Sequence, residues 1–230
     1  MSHPPDDHPL DRPIWGSLNS HQSYLRQGAA PAIRFPVDIS PFVVGQDASP
    51  GTALALSKLI PPGDDVYFIE ASPPPAPEGV SSVHKAVVQM VWTDFPASPA
   101  PVATMEDLDD SHAAEMLALA TLTRPGPFRT RTHTLGRFIG VREKGELIAM
   151  AGERMHLTGY REISAVCTHP DHRGKGLGAM LMHAVGARIR ADGEQSFLHA
   201  YADNHVAIAL YRKLGFEVRR ELTHALWKHA

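Results

Sequence analysis

The sequence predicts a mixed α/β fold, α+β in its strand order, with helices flanking a central sheet and a smaller α+β region in front. Three observations carry this expectation. Residues 162–193 read as strand, glycine-rich turn and helix. Residues 196–215 read as a second strand and a second helix. Residues 137–142 and 146–156 read as two strands joined by the tight turn Glu143-Lys144-Gly145.

In chain order, composition changes near residue 100. Seventeen of the twenty prolines lie in residues 1–101, and only Pro125, Pro127 and Pro170 come later. Residues 95–101, Phe-Pro-Ala-Ser-Pro-Ala-Pro, read as an extended semi-rigid connector. The boundary is therefore expected there, with a proline-rich region at 1–100 and a second unit at 101–230. In the first region Ile14, Trp15, Leu18 and Leu25 have loosely helical spacing. Residues 52–60 read as a short helix stopped by Pro61-Pro62-Gly63, and residues 66–70 and 86–92 as strands. No catalytic constellation is visible there, so a structural or substrate-shaping role is expected.

In the second region, residues 105–122 suit an amphipathic helix, with acidic residues early where they favour the helix dipole. Residues 124–133 follow as a loop around Pro125-Gly126-Pro127. The apolar run 162–168 reads as a buried strand, and Pro170 in the next connector cannot donate to a ladder. Leu177, Leu181, Val185 and Ile189 mark a helix that Gly193 ends. After the strand at 196–201, Asp203 or Asn204 starts a helix that Gly215 stops, with Val206, Leu210 and Leu214 as its expected core stripe. Residues 217–227 read as a terminal strand.

The turn Arg173-Gly174-Lys175-Gly176-Leu177-Gly178 points to a phosphorylated ligand. The first turn of a helix has unpaired amide N–H groups and a partial positive charge. Three glycines in five residues let a pyrophosphate approach the backbone, and Arg173 and Lys175 add charge. The segment also fits a loose dinucleotide fingerprint. However, five residues separate its glycines from the strand, and too few residues follow for the βα units of a dinucleotide fold.

The pairing of Arg173, Gly176 and Gly178 with Asn204, Ala207, Tyr211, Gly215 and Phe216 resembles the GNAT superfamily of acyl-CoA-dependent N-acyltransferases. The likeness covers about residues 105–230. It implies a GNAT-like fold with a central mixed sheet, splayed where the acyl-CoA enters. It implies an enzyme with acetyl-CoA, or another acyl-CoA, as co-substrate, and transfer to a primary amine by direct attack. By the same resemblance the backbone of Val166, Cys167 and Thr168 holds the pantetheine and polarises the thioester. Residues Arg173, Gly174, Lys175, Gly176, Leu177 and Gly178 hold the phosphates, and Asn204 binds the cofactor or steadies its loop. A proline-rich first half before such a domain also resembles the glycine-N-acyltransferase-like branch, which implies a small amine or an amino acid as acceptor.

Two residues are the expected catalysts. Deprotonating a lysine-like amine costs about 4–5 kcal/mol at pH 7, and an α-amine only about 1 kcal/mol, so a base is more useful for the former. Glu162, eleven residues before Arg173, stands where histone-modifying members of the superfamily carry a catalytic glutamate. The alternative is a strand-end ion pair with Arg161 or Arg154; Glu153 and His156 are reserve bases. Tyr211 is the expected acid, holding a proton that it shares with a departing thiolate. Cys167, inside a strand and without an evident histidine partner, reads as packing.

The fourteen histidines show no metal-binding spacing, so no metal is expected. Arg124, Arg129, Arg131 and His133 mark a basic loop that suits an anionic acceptor or is simply solvated. A net charge of −3, one cysteine and the lack of a signal pattern or long apolar run suggest a cytoplasmic chain without nucleic-acid or membrane partners. Oligomeric state is not encoded legibly. A rival reading remains, a non-catalytic acyl-CoA-binding sensor on the same fold.

Overall fold

An eight-stranded sheet carries the site, and both halves of the chain build it. The computed structural model describes residues 8–61, 63–94 and 101–229. The expected connector at 95–101 lies, except for Pro101, outside the described residues, as does Pro62 of the expected helix stop.

The first half begins with α1 (Pro13–Leu18) and a small antiparallel sheet of β1 (Gln27–Ala29), β2 (Ala32–Arg34) and β3 (Val43–Gly45). Helix α2 (Pro50–Ser57) follows, capped by the Ser49 hydroxyl, which accepts from the Thr52 amide. Then β4 (Asp65–Glu70) and β5 (Val80–Trp92) enter the large sheet. The second half supplies β6 (Glu106–Leu108), α3 (Ala113–Thr123), β7 (Phe138–Glu143), β8 (Glu146–Leu157) and β9 (Tyr160–Thr168). It continues through α4 (Leu177–Ala191), β10 (Gln195–Tyr201), α5 (His205–Lys213) and β11 (Phe216–His229). The strand order is β4-β11-β5-β10-β9-β8-β7-β6, and β9 and β10 are its parallel neighbours. Strands from both sides of residue 100 are thus hydrogen-bonded neighbours: β5 lies between β10 and β11.

Each face of the sheet is closed by apolar packing. Leu177, Leu181, Val185 and Ile189 of α4 are all buried, as their four-residue spacing requires, against Ile139, Ile163 and Leu198 of the sheet. Gly186 is needed in that helix because a Cβ there would enter the Trp92 ring. Opposite, α3 packs Met116, Leu119 and Ala120 on Phe138, Met150 and Cys167, while α1 sets Ile14 and Leu18 beside Leu157 and Phe197.

Two expectations need correction. The helix expected at 105–122 starts only at Ala113, because Leu108 is buried in a strand pair with Phe138 and the Asp109 carboxylate caps the turn that follows. On α5, Val206 is 84 % exposed and Leu210 is exposed as well. Only Leu214 of the three is buried, because four-residue spacing marks a stripe without saying which side of the helix meets the sheet. Ile208, Tyr211 and Leu214 face the core instead. No helix among the described residues is long and apolar enough to cross a membrane.

Candidate active site

The site begins where two parallel strands stop pairing. β9 and β10 are in register at Tyr160–Gln195, Arg161–Ser196 and Glu162–Phe197, and pair no further. Beyond Glu162, β9 stays with β8 but has a bulge, with Met150 opposite Cys167 and Gly152 opposite Ser164. Ala165 at the bulge has φ +51°, a left-handed conformation that costs a non-glycine residue about 1–2 kcal/mol. The His169 amide donates to the Ile148 carbonyl, and ladder groups alternate sides. Cys167 therefore faces β8, while the backbone groups of Val166 and Thr168 face the opening toward β10.

At the end of β9 the glycine loop has the geometry that the sequence suggested. Gly174 and Gly176 have φ +77° and +79°, and nothing lies within 4 Å of where a Cβ would stand at either. Gly176 is the N-cap of α4, with no side chain covering the first turn. Arg173 is exposed and has no ion-pair partner among the described residues, and Lys175 beside it is exposed too. Gly178 sits against Val166 and Thr168, so the loop and the free edge of β9 form one continuous wall. Open left-handed glycines, an uncapped helix start and a free guanidinium fit a pyrophosphate.

A cavity of about 90 Å³, open to solvent, lies on the opposite side of the opening. Asn204 and Tyr211 line it from the α5 side, Arg154 and His199 from the sheet, and Tyr201 and His224 from β10 and β11. Phe42, Ile69 and Val87 come from the first half, and Pro125-Gly126-Pro127 from the loop after α3. A wider hollow beside Trp92 and Arg190 shares no lining residue with the glycine loop or with Tyr211. Asn204 Oδ1 accepts from the Ala207 amide at 3.1 Å, which starts α5, and its Nδ2 has no partner among the described residues. Burial raises the Tyr211 pKa above that of a free phenol, and its hydroxyl has no hydrogen-bond partner among the described residues. It is a protonated, uncommitted donor at the cavity wall.

Glu162 lies behind that wall. Its carboxylate is fully buried and accepts from Arg154 Nε at 2.7 Å, Arg154 Nη2 at 2.6 Å and His199 Nδ1 at 2.7 Å. Burial alone would push its pKa up; the Arg154 charge and these bonds outweigh that and hold it at about 2. A carboxylate so satisfied is a poor proton acceptor near neutrality. This arrangement corresponds to the ion pair with Arg154, one of the two readings of the sequence. Arg161 pairs instead with Glu153, Asp192 and Glu194. The reserve bases are engaged as well, Glu153 by Arg137 and Arg161 and His156 by Glu194.

Sequence reasoning missed the rest of this cluster. His199 donates through Nδ1 to Glu162, and its Nε2 is 3.1 Å from Gln89 Nε2. Gln89 Oε1 accepts from Arg219, so its Nε2 is the donor to His199 and to the Leu10 carbonyl. Arg154 stands where β8 slips by one residue against β9, between Glu153 and His156. The buried Gln22 amide donates to the Arg154 carbonyl at 2.7 Å and to the Leu135 carbonyl at 3.0 Å. A first-half residue thus secures the bulge that aims a second-half side chain. Only the apolar period of strand β8 was legible, and a bulge leaves no mark on that period.

Three of the four basic-loop residues are tied down, while Arg124, exposed at the end of α3, has no ion-pair partner among the described residues. Arg129 pairs with Asp64 at 2.6 Å, Arg131 with Asp38 at 3.1 Å, and His133 with Asp110 at 2.8 Å. These bonds fasten the loop to the first half and to the start of α3; they do not offer charge to the cavity, where Arg154 stands instead. Cys167 is buried, its thiol donates to the Ala165 carbonyl, and burial pushes its pKa up to about 12, so it supplies no thiolate. His21, His156 and Glu194, far apart in sequence, bring three ligand atoms within 4.8 Å of one another. Arg161 already places positive charge there, with Nη2 at 2.7 Å from Glu194 and 3.3 Å from His156.

The chain is similar to known proteins in sequence and fold. A family profile described as FR47-like protein matches residues 138–227. The solved structure of a GNAT-family protein from Novosphingobium aromaticivorans superposes with a TM-score of 0.89 at 38% identity, covering 97% of this chain and 100% of that one. A GCN5-related N-acetyltransferase-like protein from Streptococcus suis shares the fold alone, with a TM-score of 0.61 at 14% identity over 94% of this chain and 92% of its own. Mycothiol acetyltransferase of Nocardiopsis dassonvillei is 31% identical over 135 residues, 53% of this chain and 40% of that protein. The L-methionine sulfoximine/L-methionine sulfone acetyltransferase of Pseudomonas aeruginosa is 35% identical over 83 residues, 34% of this chain and 48% of that protein. The chain spans less than half the length of these two curated relatives.

Proposed function

The chain belongs to the GNAT family of acetyltransferases, and from that premise we propose that it transfers an acetyl group from acetyl-CoA to a primary amine of a small molecule or amino acid, by direct attack. The observation that carries this reading is the opening of the β9–β10 pair, with the glycine loop at one end and the Tyr211 hydroxyl at the other.

In this reading the loop 173–178 holds the pyrophosphate through first-turn amides, with Arg173 and Lys175 supplying charge. The free backbone edge at Val166 and Thr168 holds the pantetheine amides as an added strand would and polarises the thioester carbonyl. The acceptor amine enters from the cavity side, unprotonated, and attacks the carbonyl carbon. As the carbon–sulfur bond breaks, Tyr211 gives its proton to the sulfur. Its raised pKa keeps that proton in place until a thiolate forms. Asn204 holds the start of α5, and so the position of Tyr211. Glu162 keeps Arg154 and His199 in place, and the amine loses its proton to water. The first half shapes the cavity through Phe42, Ile69 and Val87. The relatives acting on mycothiol and methionine sulfoximine support a small-molecule acceptor.

The test is CoA release from acetyl-CoA in the presence of a panel of small primary amines and amino acids. The expected result is amine-dependent release with formation of the N-acetyl product. Binding of acetyl-CoA without turnover of any amine would replace this reading with that of a sensor.

A further inference from the structure

The cavity beside Tyr211 has a charge pattern that bears on what enters it. Arg154 has five N–H donors, and Glu162 takes one from Nε and one from Nη2. Nη1 has no partner among the described residues, although Arg154 lines the cavity, with the Phe42 ring over the guanidinium at 4.9 Å. Lys85 reaches the same side, with its ammonium 5.1 Å from the Tyr201 ring centre. Of the nearby carboxylates, Glu162 is sealed behind the wall, Asp65 is taken up by the Tyr67 hydroxyl and Arg129, and Asp203 acts on Tyr201 from the turn before α5.

His224 faces this set from β11. Its cross-strand partners are Lys85 and Ile69, its ring packs on Tyr67 and Tyr201, and it has no hydrogen bond among the described residues. Burial first, then the Arg154 guanidinium and the Lys85 ammonium, lower its pKa to about 4. Near neutrality it is therefore an uncharged imidazole in a cationic hollow, open to a ligand.

We propose that this cavity binds the acceptor through an anionic group, a carboxylate in the simplest case, which docks on Arg154 Nη1 beside His224. The inference rests on the acetyltransferase reading for the word acceptor, but the subsite stands on its own geometry. A planar guanidinium with one free end suits a carboxylate oxygen, and an anion placed there offsets the field that keeps His224 unprotonated. Docking consequently raises the His224 pKa, and a proton is taken up as the anion binds. Affinity for the anionic ligand rises as pH falls from 7 toward 5, while affinity for a neutral analogue does not.

The test uses the whole protein and pairs of ligands that differ at the carboxyl group, an L-amino acid and its carboxamide, compared at equal concentrations of unprotonated amine, in two measurements. In acetyl-CoA turnover the free acid is expected to have a KM lower by about 10–100-fold at similar kcat, the range for a hydrogen bond to a charged partner. In an NMR titration of the His224 imidazole, the N-acetylated acid raises the pKa and its carboxamide does not. His224→Asn serves as the resonance control. If neither acid nor amide is turned over, yet the acid still moves the titration, the acetyltransferase reading falls and the anion subsite stands. Equal use of acid and amide, or a His224 titration that neither moves, overturns the subsite.

Discussion

Along the β9 wall of the cleft the groups offered to a ligand are main chain. They are the free edge at Val166 and Thr168 and the left-handed glycines of the loop, with exposed Arg173 and Lys175 as the side-chain contribution. Across the opening the offered groups are side chains, Arg154, His224, Tyr201 and Tyr211, brought together from β8, β11, β10 and α5. A main-chain wall holds any ligand with the same backbone complement and phosphates, so it suits a common co-substrate. A side-chain wall is set by the identity of a few residues, so it suits a particular acceptor. The first wall is local in sequence; the second is assembled from segments as far apart as Gln22 and His224.

This contrast can be broken by substitution. The largest stability effect is expected at Glu162→Leu, which strands the Arg154 charge and the His199 N–H in the interior. Removing one partner of a buried pair costs about 3–5 kcal/mol, seen as a lowered urea midpoint. Glu162→Gln keeps an acceptor for Arg154 and should retain most of kcat; a loss of about 10²-fold or more in a folded protein would return the base role to Glu162. Tyr211→Phe should lower kcat about 10²-fold with the KM for acetyl-CoA little changed, measured by steady-state CoA release. Gln22→Leu leaves the Arg154 and Leu135 carbonyls unpaired. It should cost about 1–3 kcal/mol and raise the acceptor KM while sparing acetyl-CoA. Gly176→Ala imposes a left-handed conformation on a residue with a Cβ, at about 1–2 kcal/mol, and should weaken acetyl-CoA binding alone.

Acid should separate the walls as well. His224 has a lowered folded pKa, so between its ordinary 6.5 and about 4 the unfolded chain binds the extra proton, and stability falls as pH drops through that window. Glu162 has a depressed folded pKa, so its contribution is complete above its ordinary 4.5 and is lost toward about 2. Acid unfolding is expected to start on the side-chain wall, with His199 and His224 amides exchanging before those of α4.

The legibility of the sequence follows the same division. The glycine loop, α4 and the start of α5 were readable because their signals are local: left-handed glycines, four-residue apolar spacing and an Asn cap. Strand β9 was legible as an apolar run, and its bulge at Ala165 was not, since a bulge changes register without changing composition. The role of Glu162 stayed divided because the spacing to Arg173 says nothing about Arg154, which reaches it from the neighbouring strand β8. The face of α5 was misread because Val206 and Leu210 are apolar yet exposed, and the N-cap at Asn204 turns Ile208 and Tyr211 inward instead. The Gln22, Gln89 and His199 contacts are invisible in sequence, since polar residues at such separations leave no periodic trace.

The most direct test of the account is amide hydrogen exchange across the chain with and without saturating acetyl-CoA. Slowed exchange is expected at Val166 and Thr168 and across 174–178, with little change at Cys167, which β8 already protects. Protection confined to other surfaces, such as the hollow beside Trp92 and Arg190, or no binding at all, would contradict it.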